Sequence, residues 1–522
     1  MAQATLGSLT ARYRTGVTRR GQDLLADVAA AGFLSALLVA IGGFALGLML
    51  WYEGVTRTRT LHAVTELWFP AALAIGVALA FAGYGLYGRY FAARTDVDVR
   101  TALRWDAVSW LPLTIFALAL LAPPGILPPT RGIGAAFALF ALAKLLVAAR
   151  FNATVRSVAT TFVVTRLPII VIAELAFVLI GQRAGHHVAT SDNPLLAVWG
   201  RWDSVHYLRI AHSGYYGTDM AFFPLYPYLI KFLTPLAGNG LVAGLLISNV
   251  AFFFGLLYFY KLVEHQYTRA VAHRAVFYVS IFPTAIFFSA VYTEALFFAL
   301  TVASFYYIRE HKWLAAGILG FFASLSRVEG VLLFLPLAIE VFSPSPLQAL
   351  RDLVRRPERT LKILAGAALI PLGLLTYMAL LWVIRGDPLY FSHVQSHWNR
   401  HLAPPWVSIQ HAFRVIAHAK SAQTISNQAI EVVFTALMLG VLGFGFLRLK
   451  LPYTAFMIAS IAVPMSTSSL MSMPRFALVL FPMFVILALW GGRSWVNSAI
   501  VAFSLPLLGL FTVLFANWYW VA

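Results

Sequence analysis

GLVAGLLISNVAFFFGLLYFY, residues 240–260, is a run of 21 residues without a charged side chain. About 20 apolar residues in a helix cross the ~30 Å hydrocarbon layer of a membrane, and a helix satisfies its own backbone hydrogen bonds there. Similar runs recur along the chain, and they lack the alternating polarity of a membrane β-barrel. The sequence therefore predicts an all-α, polytopic integral membrane protein.

Counting these runs predicts about 14–15 transmembrane helices. The predicted spans are 29–51, 67–88, 105–122, 132–150, 165–181, 240–260, 273–290, 293–309, 313–326, 330–344, 363–384, 429–447, 451–466, 475–491 and 495–515. The aromatic stretch 222–236 fits either a re-entrant or interfacial helix or another crossing.

Composition supports the membrane class. Hydrophobic residues make up 60% and charged residues 11% of the chain, against roughly 45–50% and about 25% in average soluble domains. The net charge of +18 would suggest a nucleic-acid partner in a soluble protein. In a membrane protein, however, Lys and Arg are enriched in the loops on the cytoplasmic side of the membrane. We expect contacts with membrane lipids and none with nucleic acid. The chain has no cysteine, which excludes disulfides and thiolate metal ligands.

Most Lys and Arg residues fall in loops on the side of the N-terminus, which the positive-inside rule places in the cytoplasm. The resulting topology, called the threading below, is the order in which the spans cross the membrane. It places two long loops, near 182–221 and 385–425, on the external face. Residues 1–160 form a predicted four-span accessory block without conspicuous polar motifs. Residues 161–522 form a predicted functional core that carries both external loops.

The first external loop contains RWDSVHYLRIAHSGYY, residues 201–216, which places the carboxylate of Asp203 among aromatic and basic side chains. An ionised aspartate can accept a proton from an approaching hydroxyl group. An N-cap or an interfacial ion pair with Arg201 is the alternative. The crowding of polar and aromatic residues favours a functional role.

Three further clusters lie at predicted external helix ends. AVYTEALFF holds Tyr292 and Glu294, and SLSRVEGVLLFLP holds Arg327 and Glu329. Arg475 opens a span in MSTSSLMSMPRFALVLFP, where a guanidinium suits bidentate binding of phosphate, although snorkelling to the interface is the common role of such an arginine. A polar hairpin tip is the alternative for the Tyr292 cluster.

Several other features are weaker candidates. His393, His397 and His401 recur every four residues, but an amphipathic interfacial helix explains them better than a metal site. Glu174 lies within a span and is either functional or paired with a neighbouring helix. The DVD triplet at 96–98 lies among arginines on the predicted cytoplasmic face and fits a solvated charge cluster. No phosphate-binding GxxxxGK[ST] loop is present, and no metal or cofactor is expected.

Taken in order, RWDSVHYLRIAHSGYY, AFFPLYPYLI, VYTEALFF, SRVEG, GDPLYF and PRFALVLFP resemble the PIG-V family of GPI mannosyltransferases, which belongs to the GT-C class. The resemblance covers roughly 160–522. It implies an enzyme that takes a sugar, usually mannose, from a polyprenyl-phosphate donor and passes it with inversion to a lipid or glycan acceptor. The implied location is the cell (plasma) membrane, with the active site on the non-cytoplasmic face.

The resemblance also implies roles for individual residues. By motif match, Asp203 is the general base, Arg327 and Arg475 suit the carrier phosphate, and Tyr292 and Glu294 line the sugar pocket. The other expected substrate-binding residues are Arg201, Trp202, His206 and Glu329. The Val328-Glu329 pair and the N-terminal block depart from the family pattern and leave the acceptor and exact sugar open.

The alternative function is a transporter or flippase of lipid-linked glycans. Such a protein is expected to show internal repeats and polar residues along a midplane path, and the sequence shows neither clearly. A catalytically silent scaffold is disfavoured because the polar motifs gather on one face.

Overall fold

The computed structural model describes residues 152–180, 190, 193–343 and 345–521. The described part of the chain belongs to one compact unit. The first four predicted spans and the DVD triplet lie outside the described residues, whereas the predicted boundary of the accessory block, at residue 160, lies within the helix Ala153–Leu179. The described chain is built of helices and contains only an isolated bridge between Leu402 and Thr467 in place of a sheet, which confirms the predicted all-α class.

The described α-helices are numbered here in chain order. They are α1 Ala153–Leu179, α2 Pro194–Ala197, α3 Asp203–Ser213, α4 Leu225–Ala237, α5 Gly240–Gln266, α6 Arg269–Ser280, α7 Glu294–Arg309, α8 Trp313–Ser326, α9 Phe334–Phe342, α10 Pro346–Arg355, α11 Pro357–Arg385, α12 Tyr390–His393, α13 Pro405–His418, α14 Ala422–Arg448, α15 Leu451–Met465, α16 Met473–Val479, α17 Phe481–Trp490 and α18 Ser494–Ala516. Short 3₁₀ helices span Gly217–Ala221, Ala285–Phe288, Val328–Leu333 and Val394–Trp398.

Five described helices, α1, α5, α11, α14 and α18, are long and apolar enough to cross a membrane. The number rises to seven if each of two bent helix pairs is one span, and α16 and α17 form one such pair with a bend of 74°. Eleven predicted spans overlap the described residues, and several of them are shorter or broken in the structure. With 13 residues, α4 is about 20 Å long, so it is too short to cross the membrane alone.

The predicted span 273–290 is broken in the structure. Helix α6 ends at Ser280, and a turn containing Pro283 leads into the 3₁₀ helix. Proline removes a backbone donor, and the interruption frees carbonyl groups that hydrocarbon cannot satisfy. The buried Arg166 of α1 donates to the carbonyl of Ala285 at 2.8 Å and to that of Ser280. This arginine therefore stabilises the break.

Helices α8 and α11 pack at very close range because glycines face each other. A Cβ atom at Gly317 would lie 2.3 Å from the carbonyl oxygen of Gly366. Small residues that allow backbones to approach are common where membrane helices associate. This contact brings the start of the 3₁₀ helix after α8, and with it Arg327, next to α11.

Helix ends that the threading assigns to one face meet in the structure. On the predicted external side, Arg475 contacts Asp203. On the predicted cytoplasmic side, Arg309 pairs with Glu340, and Gln266 donates to the hydroxyl of Tyr453. Side chains predicted to lie on the same face of the membrane are thus in contact, and the order of crossings stays a prediction.

Candidate active site

Asp203 is the first residue of α3 and follows a backbone turn at Trp202, whose φ is 54°. A positive φ in a bulky residue is strained by about 1–3 kcal/mol and persists where its surroundings enforce it. The buried hydroxyl of Tyr292 bridges this turn. It donates to the carbonyl of Arg201 at 3.2 Å and accepts from the amide of Asp203 at 3.2 Å. Tyr292 therefore fixes the start of α3 and the carboxylate that it presents.

Arg475 joins Asp203 to Glu294 of α7. Its Nη1 donates to Asp203 Oδ2 at 2.6 Å, and its Nε donates to Glu294 Oε1 at 2.7 Å. The guanidinium also lies 4.9 Å from the ring centroid of Tyr292 and 5.8 Å from that of Trp520. Arg475 is buried, with 7% of the residue exposed, which is not the arrangement of a snorkelling side chain.

A buried carboxylate of α14 holds the turn that carries Arg475. Glu431 accepts hydrogen bonds from the amides of Ser472 and Met473 at 2.9 and 2.8 Å. Ser472 has a φ of 73°, so the chain reverses there before α16 begins. Glu431 thus satisfies backbone donors at the start of a helix, as a capping side chain does.

Arg327 completes the cluster of charged side chains. Its Nη1 donates to Glu294 Oε1 at 3.0 Å, and its Nε lies 3.6 Å from Glu329 Oε2. Two guanidinium groups therefore meet three carboxylates, so the net formal charge of the cluster is −1. The side chain of Asp203 is 24% exposed, whereas those of Glu294 and Glu329 are 0% and 7% exposed. Asp203 is thus the most accessible carboxylate of the three.

Aromatic side chains form one wall of the site. The ring of Trp202 lies 5.7 Å from that of Trp518 and 5.4 Å from that of Trp520, both in edge-on arrangements. The two tryptophans follow α18, far from Trp202 in the sequence. The site therefore includes the segment after the last described helix.

A second charged network lies one helical turn after Asp203. Residues three apart in a helix share a face, so His206 lies on the face of α3 that carries Asp203. His206 Nδ1 lies 2.7 Å from Asp219 Oδ1, and Arg209 Nε donates to Asp219 Oδ2 at 2.7 Å. Burial alone would raise the pKa of Asp219, but hydrogen bonds from His206 and Arg209 lower it below its ordinary value.

The ring of His206 is held between the two predicted external loops. It stacks on Phe222 with centroids 4.5 Å apart and meets Trp398 edge-on at 6.3 Å. His206 Nδ1 lies within hydrogen-bond distance of both Asp219 Oδ1, at 2.7 Å, and Arg209 Nη2, at 2.9 Å, so these three side chains form one network.

The histidine series of the second loop does not form one helical face. His393 ends α12, His397 lies in a 3₁₀ helix, and His401 follows a left-handed residue at Asn399. The predicted continuous amphipathic helix is therefore wrong. Asp387, which lies outside the four-residue pattern, accepts a hydrogen bond from His393 Nδ1 at 2.7 Å.

All the site residues predicted from the sequence lie in or beside this cluster. Asp203, Tyr292, Glu294, Arg327, Glu329 and Arg475 form one connected network, Arg201 and Trp202 join it through the turn, and His206 lies on the adjoining face. Glu174 lies apart and accepts a hydrogen bond from Trp199 Nε1 at 3.1 Å. Residues that the sequence analysis missed are Asp219, Glu431, Trp518 and Trp520. Of these four, only Asp219 had a signal in the sequence, because it is an acidic residue that follows the aromatic motif ending at Tyr216.

Within the described ranges, no three His, Asp or Glu side chains gather in a group suited to a metal ion. The carboxylates of Asp203 and Glu294 are instead engaged by arginines. Independence from metal stays a prediction.

Residues 148–355 match the sequence model of the family described as Mannosyltransferase (PIG-V). This part of the chain is similar to the PIG-V family. The matched range contains Asp203, Tyr292, Glu294 and Arg327 and ends before Arg475, so the predicted resemblance is confirmed over the first four of its six motifs. The long apolar helices among the described residues are those of a multi-pass membrane protein.

Solved structures that align with the chain include the oligosaccharyltransferase of Archaeoglobus fulgidus. Its apo form is 13% identical over 67% of this chain and 55% of that chain, with a TM-score of 0.34. Its complex with Zn and sulfate is 16% identical over 67% of this chain and 52% of that chain, with a TM-score of 0.32. The chain thus spans just over half the length of these proteins, and similarity at this level supports no statement about activity. No curated protein matches the chain.

Proposed function

We propose that the protein is a GT-C-type mannosyltransferase that transfers mannose from a polyprenyl-phosphate donor to a lipid or glycan acceptor, with inversion, on the non-cytoplasmic face of the cell membrane. The observation that carries the proposal is the placement of Asp203. Its carboxylate is partly exposed, fixed at a helix start, and surrounded by buried charged and aromatic side chains. The PIG-V family match supports the choice of sugar.

In the proposed reaction, Asp203 accepts the proton of the acceptor hydroxyl as that oxygen bonds to the anomeric carbon. The bond from the anomeric carbon to the phosphate oxygen breaks on the opposite face of the sugar, and its electron pair stays on the phosphate. The ion pair with Arg475 uses Oδ2, which leaves Oδ1 to take the proton. No covalent glycosyl-enzyme intermediate is required, because a single displacement inverts the centre.

Electrostatics favour this direction of charge movement. The cluster of two arginines and three carboxylates loses one negative charge when Asp203 is protonated. At the same step the departing phosphate gains one. Glu294 fixes Arg475 and Arg327 before the reaction. Once Asp203 is protonated, fewer negative charges balance these two arginines. Positive charges that are already in place stabilise a transition state in which negative charge develops.

The test is a transfer assay with purified protein, polyprenyl-phosphate mannose and a panel of lipid acceptors, run with and without EDTA. We expect a mannosylated product whose anomeric configuration, determined by NMR, is opposite to that of the donor, at an equal rate in EDTA. A product with retained configuration would contradict the single displacement. Movement of an intact lipid-linked glycan across vesicles without transfer would support the transporter alternative.

A further inference from the structure

Arg201 is a buried cation that forms no ion pair with any described residue. Only 4% of the residue is exposed, and its Nε is sealed from solvent without a hydrogen-bond acceptor. No carboxylate among the described residues pairs with it, and burial lowers its pKa to about 10, so it stays charged at neutral pH. A buried charge is unfavourable unless it is paired. Binding of an anion would therefore compensate the unpaired charge of Arg201.

Aromatic rings only partly compensate this charge. The centroids of Trp518 and Phe177 lie 4.7 and 5.7 Å from Arg201 Cζ. Such contacts are weaker than a charge-assisted hydrogen bond to an anion. Arg327 and Arg475 differ from Arg201, because both donate to carboxylates. A further anion at those two would compete with groups already bound.

Arg201 lies between the site and a lipid-facing surface. Its carbonyl accepts the hydrogen bond from Tyr292 that also fixes Asp203. On the other side, its guanidinium neighbours Phe177 near the end of α1. There Val178 and Leu179 are 67% and 75% exposed. The end of α1 beside Arg201 therefore presents an exposed apolar surface.

We propose that Arg201 binds the phosphate of the polyprenyl-phosphate donor, with the polyprenyl chain lying against the outer surface of α1. This inference rests on the proposed function, and it assigns the carrier phosphate to a residue other than Arg327 and Arg475. Guanidinium groups bind phosphate oxygens in a bidentate manner. The same contact holds the carrier phosphate after the sugar has left.

The binding test uses thermal unfolding of the full-length protein with inorganic phosphate, polyprenyl monophosphate or phosphatidic acid. We expect polyprenyl monophosphate to raise the melting temperature of the wild-type protein and to leave that of Arg201→Gln unchanged. Without ligand, Arg201→Gln should melt at the wild-type temperature or above, because it removes an unpaired buried charge. An equal response of both proteins, a wild-type protein that does not respond, or a marked loss of stability in unliganded Arg201→Gln would overturn the proposal.

The other two ligands identify the source of the phosphate. A weaker response to inorganic phosphate and to phosphatidic acid than to polyprenyl monophosphate supports a carrier site. An equal response to phosphatidic acid would overturn the carrier assignment in favour of a site for membrane phospholipid.

The kinetic test compares Arg201→Gln with Arg201→Lys and with Arg414→Gln, which removes an exposed arginine from the same predicted face. Loss of a charged hydrogen bond predicts a rise of about 10- to 100-fold in donor KM for Arg201→Gln. Arg201→Lys should show a smaller rise, and Arg414→Gln none. Sugar transfer with an unchanged donor KM would refute the role of Arg201 and leave the proposed function standing. Absence of transfer by the wild-type protein would refute the function, while the binding test still reports on Arg201.

Discussion

Asp203 combines an accessible carboxylate with a fixed position, and both properties come from neighbours distant in the sequence. Tyr292 bridges the strained turn before it, and Arg475 binds one of its oxygens. These contacts restrict the carboxylate to one position in the site. At the residue scale, the site is therefore defined by what holds Asp203 as much as by Asp203 itself.

We expect Asp203→Asn to lower kcat by about 10²- to 10⁴-fold, the usual contribution of general-base assistance. Asparagine is nearly isosteric but does not accept a proton at neutral pH, so donor binding should persist. Transfer rates and donor affinity measure the two effects separately. Asp352→Asn, on α10 at a half-exposed position, is the matched control and should be silent. A rate above about a tenth of the wild-type value would remove Asp203 from the mechanism.

The buried Asp219 predicts a pH-dependent contribution to stability. Because its pKa is lowered in the folded state by His206 and Arg209, its contribution is present above its ordinary pKa of about 3.9 and is lost as pH falls through the lower folded value. We expect Asp219→Asn to be destabilised by about 1–3 kcal/mol near neutral pH. Thermal unfolding across pH should show this difference shrinking below about pH 4. A difference that does not vary with pH would contradict an ionised Asp219.

At the scale of elements, the contact between α8 and α11 depends on the absence of side chains. We expect Gly317→Ala to destabilise the protein by about 1–3 kcal/mol, as overpacking does, since the added Cβ would meet the Gly366 carbonyl. Gly440→Ala on α14 has nothing within 4 Å of its added Cβ and should gain up to about 1 kcal/mol of helix propensity. Thermal unfolding in detergent compares them, and equal melting temperatures would argue against the close contact.

The elements also show what a sequence reveals and what it does not. Hydropathy correctly predicts α5 and α18, since a long apolar run satisfies its backbone hydrogen bonds in a membrane by forming a helix. It misses the break after Ser280, because carbonyls on both sides of that break are satisfied by Arg166, more than a hundred residues away. A local pattern cannot contain such a partner.

The same limit applies to the site. Motif residues such as Asp203 and Glu294 were predictable because polar groups are conspicuous among apolar helices. Their link through Arg475 was not predictable, since it depends on how distant helices pack. Trp520 looks like an ordinary interfacial aromatic in the sequence, yet it covers the Arg475 guanidinium.

At the scale of the whole molecule, the threading predicts opposite sides for two exposed positions. The chain contains no cysteine, so single cysteines at Arg414 and Arg355, both exposed, report their side without background. We expect a membrane-impermeant maleimide to label position 414 in intact cells and position 355 only after permeabilisation. Labelling of both positions in intact cells would refute the predicted orientation. The control is the wild-type protein treated with the same maleimide, which should not be labelled because it has no cysteine.

The ion pair between Asp203 and Arg475 joins residues 272 positions apart. At a synthesis rate of about 5–20 residues per second, Arg475 leaves the ribosome roughly 15–55 s after Asp203. During that interval Glu294 also lacks the arginine of α16, so the nascent chain has unmatched charges at the membrane surface. The charged cluster around Asp203 is therefore completed only late in the synthesis of the chain.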